Sequence, residues 1–384
     1  MTRRVPGLAP LLFLSVSALF ACGGGNDAKE AASASESAAM AEAAGPTVVA
    51  SGLNTPMGVL VQDDGTIWIT DSGTGGTDTL ATPDAATGEV ARLPFGKTAR
   101  LVRVDPSGTQ TDVVSDLPSL ILPEAPIGAA RLAMWNGSLY LTSGGWQDGT
   151  GPRPPANAAL MRLDGDHLTE VLNTWDIEKG KNPEGALVEA HPFGITAGPD
   201  GALWIADAAG NDLFRVASPS GTLQLVTVFH ALPGPVPNPN RGNAMETEAV
   251  PTGIAFMNGE AYVSFLPGAP FVPGSGKVVH VSSSGEYEDY ATGFSMLSDL
   301  KTGPDGKLYG VSMGTFTEQG PTPNSGAILR IGPGETSEPV VSGLQLPTSV
   351  AFDKAGNAYV TISALGQPGA GQVVKYPHLV SSGS

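Results

Sequence analysis

A hairpin motif that recurs six times, and an N-terminal segment that supplies a strand missing near the C-terminus, predict an all-β fold: a six-bladed β-propeller closed by its N-terminal strand. The composition favours the same class, because the 384-residue chain contains 51 Gly, 33 Pro and only 15% charged residues, which suits short strands and tight turns. We expect almost no helix in the folded part.

The repeated motif places a glycine at a turn and an aromatic residue three positions later. Asp-Gly and Asn-Gly supply the positive φ of a two-residue hairpin turn, and the alternation that follows is that of a strand with one buried face. The six aromatic residues are Trp68, Tyr140, Trp204, Tyr262, Tyr309 and Tyr359. Six four-stranded units at this spacing predict a propeller, which leaves only short sheet edges open.

The third strand of each unit carries one basic residue in an apolar frame: Arg103, Arg162, Arg215, His280, Arg330 and Lys375. A binding site would use one or two such residues, whereas these recur in every unit. We therefore interpret them as structural, with pairing between neighbouring blades as one such use.

The two ends of the repeat region complement each other. The sixth unit stops after its third strand, at residues 373–376, while residues 47–53 resemble the fourth strand of the fifth unit at residues 339–344. The N-terminal strand is therefore expected to complete the last blade, which would remove the last open edge. The sequence predicts a propeller at residues 47–376 and a C-terminal tail at residues 377–384.

The first residues have the features of an export signal. Arg3 and Arg4 precede an apolar stretch at residues 8–21, which is too short to span a bilayer. Residues 19–22, Leu-Phe-Ala-Cys, resemble a bacterial lipobox. We predict a lipoprotein signal peptide at residues 1–21; the alternative is an ordinary cleaved signal followed by an incidental cysteine.

Cys22 is then the predicted site of lipidation and the new N-terminus. Residues 22–46 contain almost no large apolar side chains, so they are expected to form a flexible tether. The sequence thus predicts an exported bacterial lipoprotein of the cell envelope, held at the membrane through its N-terminal lipid.

Charge and cysteine content exclude several functions. Loss of Arg3 and Arg4 with the leader would take the formal net charge from −17 to about −19, which argues against nucleic acid as a partner. Cys22 is the single cysteine, so the folded domain contains no internal disulfide. It also has no cysteine that could act as a nucleophile or bind a metal ion. The sequence also shows no nucleophile elbow, zinc-binding helix or phosphate-binding loop.

The insertions between strands are predicted to lie on one face of the propeller. They fall between the second and third strands of a unit or between the fourth strand and the next unit, at residues 71–99, 143–158, 173–190, 231–249, 265–276 and 312–326. Loops on a rigid scaffold carry function more often than the scaffold itself. We expect any site on this elaborated face, around the central channel.

Asp299 is the exception among the residues that begin the first strands. Five units have a small residue there, at Gly58, Ala130, Gly194, Gly253 and Ser349. A lone carboxylate at this position is a candidate contact for a ligand or metal ion, and the alternative is a carboxylate that binds nearby strand-end amides.

Further candidate ligand-binding residues open onto the same face. They are Asn182, Glu184, His191, Asn211, Asp212 and Thr252, each of which is also explained by a turn or a helix cap. Asp299, Asn211 and Glu184 together would suit a divalent cation such as Ca²⁺, although no EF-hand signature is present.

Several segments resemble the ScyD/ScyE family of secreted propellers. They are residues 207–216, 250–253, 270–274 and 290–294, followed by Asp299, and the resemblance extends over most of residues 47–376. It implies an exported six-bladed propeller of NHL-like or calcium-dependent-lactonase-like shape, and it transfers no catalytic residue. The founding members are encoded beside genes for the pigment scytonemin, to which this sequence shows no link.

Two classes of function are compatible with these features. The first is a non-catalytic propeller that binds a small molecule, a glycan or a protein partner through the elaborated face. The alternative is a metal-dependent hydrolase or lyase resembling lactonase propellers, in which a cation would polarise a carbonyl or activate water. A quinone-dependent sugar dehydrogenase is less favoured, because the clustered basic groups that it needs cannot be placed on this face.

Overall fold

The structure, a computed structural model, describes residues 45–83, 89–122, 126–317, 319–335 and 337–382. The predicted signal peptide, Cys22 and nearly all of the tether lie outside these residues. The all-β prediction is confirmed, since the structure has 57% strand and 3% helix. An α-helix, Trp175–Lys181, and a short 3-10 helix, Pro239–Arg241, lie in two of the predicted insertions.

Within the described residues, six antiparallel sheets of four main strands follow one another along the chain. In strand order, sheet 1 consists of Pro56–Val61, Ile67–Asp71, Val90–Val104 and Gln110–Ile121, and sheet 2 of Ala129–Trp135, Ser138–Ser143, Ala159–Asp164 and His167–Asn173. Sheet 3 consists of Pro192–Ala197, Leu203–Asp207, Asp212–Val216 and Gln224–Val228, and sheet 4 of Pro251–Met257, Glu260–Phe265, Gly276–Val281 and Tyr287–Phe294. Sheet 5 consists of Leu297–Thr302, Leu308–Ser312, Gly326–Ile331 and Ser337–Leu344, and sheet 6 of Val350–Phe352, Ala358–Ile362, Gly371–Tyr376 and Thr47–Leu53.

Short additional strands lie in the insertions. Asp78–Pro83 pairs with the third strand of sheet 1, so part of the insertion predicted at residues 71–99 extends that sheet, and Pro126–Ile127 pairs with its fourth strand. Three two-stranded ribbons join Trp146–Gln147 to Glu189–Ala190, Leu232–Asn238 to Ala244–Thr247, and Phe316–Thr317 to Gly320–Pro321.

The N-terminal strand belongs to sheet 6. Thr47–Leu53 pairs antiparallel with Gly371–Tyr376, from Thr47 opposite Lys375 to Leu53 opposite Gly371. Backbone groups at the two ends of the folded region therefore satisfy each other.

The first strands of the sheets meet one another. Each contacts the first strand of the next sheet, and that of sheet 6 contacts that of sheet 1. Their approach requires small residues, because a Cβ added at Gly58 would lie 2.4 Å from the Ala130 carbonyl oxygen, and one at Gly253 would lie 2.1 Å from the Leu300 nitrogen.

Hydroxyl groups tie neighbouring sheets together at this centre. Thr142 Oγ1 of sheet 2 donates to the Phe193 carbonyl of sheet 3 at 2.8 Å. Thr348 Oγ1, just before sheet 6, donates to the Pro56 carbonyl of sheet 1 at 2.6 Å. These bonds supply donors to carbonyls that the strand ladders leave free.

The hydrophobic core is divided among the contacts between sheets. Among the described residues, one buried cluster lies between each pair of consecutive sheets and another between sheet 6 and sheet 1. Each sheet is thus apolar on both faces and is stabilised mainly by its two neighbours.

The repeated aromatic and basic residues form one recurring structural unit. In all six sheets the aromatic residue of the second strand lies directly opposite the basic residue of the third: Trp68–Arg103, Tyr140–Arg162, Trp204–Arg215, Tyr262–His280, Tyr309–Arg330 and Tyr359–Lys375. The structural interpretation holds, but pairing between neighbouring blades is wrong, because each pair lies within one sheet.

Candidate functional site

Arg131 fills the place where the first strands meet. It is 1% exposed, and its guanidinium donates to the carbonyls of Met57 in sheet 1, Ser298 in sheet 5 and Thr348 before sheet 6. The Phe193 ring of sheet 3 lies 4.4 Å from it. One side chain from sheet 2 therefore contacts most of the other sheets.

Asp299 is the carboxylate that accompanies this arginine. It is fully buried, with Oδ1 lying 3.7 Å from Arg131 Nε and 3.5 Å from Lys301 Nζ. Its Oδ2 accepts a hydrogen bond from Ser349 Oγ at 2.6 Å. Burial lowers the pKa of Arg131, and the negative charge of Asp299 opposes that shift.

A cleft with two lobes opens above this pair, at the end of the sheets that carries the insertions. The first lobe, of about 280 Å³, is lined by Trp146, Glu189 and Glu248 among others. The second, of about 190 Å³, is almost entirely apolar and is lined by Met57, Phe193, Leu266, Phe271, Met296 and Met313 among others. Five residues line both lobes: Leu122, Ile127, His191, Ala208 and Val250.

His191 stands at the junction of the two lobes. Its Nε2 is buried and has no hydrogen-bond partner, and its ring packs edge-on against Phe193 at 5.5 Å. Burial, together with the positive charge of Arg131, lowers the pKa of His191 to about 4. The imidazole is therefore neutral at ordinary pH, and this cleft-lining residue carries a buried polar atom that has no partner.

Glu189 is one of two acidic residues that line the first lobe, and the other is Glu248. Burial raises the pKa of Glu189 to about 8, with smaller contributions from the negative charges of Glu248, Asp207 and Glu178. A cation that entered the lobe would favour the ionised form and lower this pKa.

Glu184 and Asn211 are brought together, as the sequence analysis expected, but within a closed network. Asn211 Nδ2 donates to Glu184 Oε1 at 2.6 Å and to Glu248 Oε2 at 2.8 Å, while its Oδ1 accepts from the Val250 amide at 2.8 Å. Arg241 forms ion pairs with both glutamates. The network stiffens one wall of the cleft, and its hydrogen bonds and ion pairs occupy the oxygens of Glu184 and Asn211 that the sequence predicts as cation ligands.

Asp212 belongs to a separate buried cluster with Glu178 and Asp207. Asp212 and Asp207 are directly opposite each other on neighbouring strands of sheet 3. Both carboxylate oxygens of Asp212 and of Glu178, and Oδ2 of Asp207, are buried without a hydrogen-bond donor. Burial is the main cause that raises the pKa of all three acids.

The remaining candidates, Asn182 and Thr252, form hydrogen bonds with backbone carbonyls. Asn182 ends the helix Trp175–Lys181 in a left-handed conformation, and its Nδ2 donates to the Ala186 carbonyl at 2.8 Å. Thr252 lines the apolar lobe, but its hydroxyl donates to the Leu297 carbonyl at 2.7 Å and so links sheet 4 to sheet 5.

The three residues expected to hold one cation have separate partners. Asp299 contacts Arg131, Lys301 and Ser349, whereas Asn211 and Glu184 contact Glu248 and Arg241. Over the described ranges, no three His, Cys, Asp or Glu side chains already form a metal-ligand set.

The sequence patterns do not single out four residues of the site: Arg131, Glu189, Glu248 and Arg241. Arg131 does have a sequence signal, because it is a charged residue in the otherwise apolar strand Ala129–Trp135. It directly follows Ala130, the residue of its unit that corresponds to Asp299. The other three lie in insertions with no repeat to reveal them.

No family model matches the sequence, and no curated protein matches it. Similar solved structures include one assigned provisionally as a gluconolactonase, with 14% identity, a TM-score of 0.51, and coverage of 88% of this chain and 94% of that chain. Another, assigned provisionally as a glucose dehydrogenase from Thermus thermophilus, has 17% identity, a TM-score of 0.51, and coverage of 86% and 98%. At these identities the likeness defines the fold alone: the chain is a β-propeller.

Virginiamycin B lyase from Staphylococcus aureus is also similar, at 15% identity and a TM-score of 0.45, covering 86% of this chain and 98% of that chain.

In the part of the chain that the structure describes, no helix is long and apolar enough to cross a membrane.

Proposed function

We propose that this chain is a six-bladed propeller of the ScyD/ScyE type, closed by its N-terminal strand, that binds a small molecule in the two-lobed cleft. Export and attachment to the cell envelope through lipidated Cys22 are part of the proposal. Six sheets, six core clusters between consecutive sheets and the pairing of Thr47–Leu53 with Gly371–Tyr376 support the count and the closure.

The observation that carries the binding proposal is His191. A buried imidazole nitrogen without a partner costs free energy, and a hydrogen bond to a ligand would recover it. The residue lines both lobes, so a ligand that reached it would occupy either lobe or span the two.

The linings of the lobes suggest what kind of ligand fits. The second lobe suits an apolar body such as an aromatic ring or a branched hydrocarbon, which favours a small molecule over a glycan. The first lobe presents Glu189 and Glu248, and neither lobe is lined by a Lys or Arg. We therefore propose a ligand with an apolar body and a neutral or cationic polar group.

Three probes that share a phenyl ring and differ in charge test this proposal: phenethylamine, phenethyl alcohol and phenylacetate. In titration calorimetry the amine should bind most tightly, because a cation favours the ionised form of Glu189. Phenylacetate should bind least tightly, because Glu248 is negatively charged and neither lobe is lined by a Lys or Arg. His191→Ala should weaken binding of the amine and the alcohol, whereas the matched control His167→Ala, at a site 70% exposed in its side chain, should not. Tightest binding of phenylacetate, or no effect of His191→Ala, would contradict the proposal.

The hydrolase or lyase alternative stays a prediction. No contact in the cleft specifically favours it over binding, and the likeness to provisionally assigned lactonase and dehydrogenase structures concerns the fold.

A further inference from the structure

The buried carboxylates of this chain differ in how their charge is balanced. Five are buried among the described residues: Asp71, Glu178, Asp207, Asp212 and Asp299. Asp71 pairs with Arg100 at 3.0 Å, and Asp299 pairs with Arg131. The other three lie together in sheet 3 and the helix Trp175–Lys181 and have no basic partner there, although a buried ionised carboxylate requires one.

The backbone places these three acids against one another. Asp207 ends the second strand of sheet 3 and Asp212 begins the third, and the two are cross-strand partners, a position in which like charges destabilise a sheet. Glu178 approaches from the helix. A Cβ added at Gly210 would lie 2.8 Å from Glu178 Oε1 and 3.5 Å from Asp212 Oδ2, so both carboxylates surround the space that this glycine leaves open.

Thr174 provides an independent observation. It stands at the N-cap of the helix, where a threonine hydroxyl normally accepts a backbone hydrogen bond, but this side chain makes no such bond. Its Oγ1 is buried in a residue that is 1% exposed and makes no hydrogen bond of normal geometry. The hydroxyl nevertheless faces Asp207, where it opposes the rise in that carboxyl's pKa as a hydrogen-bond donor would. An uncharged oxygen is therefore also directed into the acidic cluster.

We propose that Glu178, Asp207, Asp212 and Thr174 form a binding site for Ca²⁺. The four side chains offer oxygen atoms only, and Ca²⁺ takes about six to eight oxygen ligands in a flexible geometry, which lets backbone carbonyls and water complete the set. A divalent cation would neutralise the facing charges of Asp207 and Asp212. Among the described residues no three such side chains already converge on one point, so the carboxylates would have to rearrange around the ion.

The site would also act on the cleft through the backbone. Asp207 Oδ1 accepts hydrogen bonds from the amides of His191 at 2.7 Å and Gly210 at 3.0 Å. None of the four proposed ligands lines the cleft, whereas Ala208 and His191 do. A bound Ca²⁺ would hold Asp207 and, through it, the position of His191.

Thermal unfolding and titration calorimetry of the chelator-treated protein with CaCl₂ test the proposal. At about pH 7.5, Ca²⁺ should raise the melting temperature to a plateau. Asp212→Asn and Glu178→Gln should each weaken Ca²⁺ binding by at least about tenfold and abolish the shift. The matched control is Asp176→Asn, an exposed acid on the same helix, which should leave both readouts unchanged.

Each other outcome overturns the proposal. If neither readout responds to Ca²⁺ and acidification alone stabilises the protein, the carboxylates are balanced by shared protons. If Asp212→Asn and Glu178→Gln respond as the wild type does, the ion binds elsewhere on the acidic surface. Should one variant fail to fold, the other decides, since each removes a charge from a different element.

Discussion

Replacing Arg131 with methionine should destabilise the protein more than the loss of any surface ion pair. Arg131→Met keeps much of the apolar volume but leaves Asp299 buried beside one remaining cation, Lys301, at 3.5 Å. It also removes the donors to the carbonyls of Met57, Ser298 and Thr348.

The expected magnitude follows from these contacts. Removing one partner of a buried ion pair costs about 3–5 kcal/mol, and each buried carbonyl left without a donor costs about 1–3 kcal/mol. Because such costs are not additive and Lys301 retains part of the charge balance, we expect a loss of about 4 kcal/mol in the free energy of unfolding. That is a large share of the roughly 5–15 kcal/mol that stabilises a typical protein.

Urea denaturation followed by tryptophan fluorescence measures the effect. The double variant Arg131→Met, Asp299→Asn should recover about 2 kcal/mol relative to the single variant, because the uncompensated charge is gone. Arg162→Met, which breaks the surface pair with Asp164, is the control and should change the midpoint little. The reasoning would be refuted by a single variant within about 1 kcal/mol of wild type, or by a double variant no more stable than the single one.

Three further predictions concern other parts of the chain. The raised pKa of Glu189 favours its protonated form in the folded protein. The contribution of this carboxyl to the free energy of unfolding is therefore fully present below its pKa in the unfolded chain, near 4.5, and is lost as the pH rises through about 8. In chelator, Glu189→Gln should therefore be more stable than wild type in unfolding at about pH 8.5, with a difference that shrinks toward pH 5, and a constant difference would contradict this. Thr348→Val should cost about 1–2 kcal/mol in urea unfolding, because the Pro56 carbonyl loses its donor, and an unchanged midpoint would show that water replaces the hydroxyl. Cys22→Ser should shift the protein from the membrane to the soluble fraction on fractionation, and an unchanged distribution would argue against the lipid anchor.

The repeat was predictable because it depends on local chemistry. Each Asp-Gly or Asn-Gly turn requires positive φ, and the structure has Gly65 at 88° and Gly137 at 78°, each followed by the expected second strand. The same backbone rule operates in every unit, so six copies reinforced one interpretation.

The site was less predictable because it depends on contacts between distant segments. Arg131 finds its partners 74, 167 and 217 residues away in sequence, and no local pattern encodes such an encounter. Asp299 stands out because it breaks the run of small residues, but a carboxylate has the same sequence signature whether an arginine or a metal ion balances its charge.

The helix Trp175–Lys181 illustrates a different limit. Propensity alone gives little reason for seven residues to form a helix in water. Its Trp175 and Glu178 are buried against the ends of the strands, so tertiary packing stabilises a turn that the composition did not predict.

The antiparallel pairing of Thr47–Leu53 with Gly371–Tyr376 has a consequence for biosynthesis. Thr47–Leu53 is the first strand of the domain to be synthesised, and its partner Gly371–Tyr376 is the last. Sheet 6 therefore cannot form until translation of the domain is nearly complete. A chain that ends before Gly371 would leave Thr47–Leu53 with unpaired backbone groups, an edge open to other chains. Such a late final step makes truncated products prone to aggregation and proteolysis.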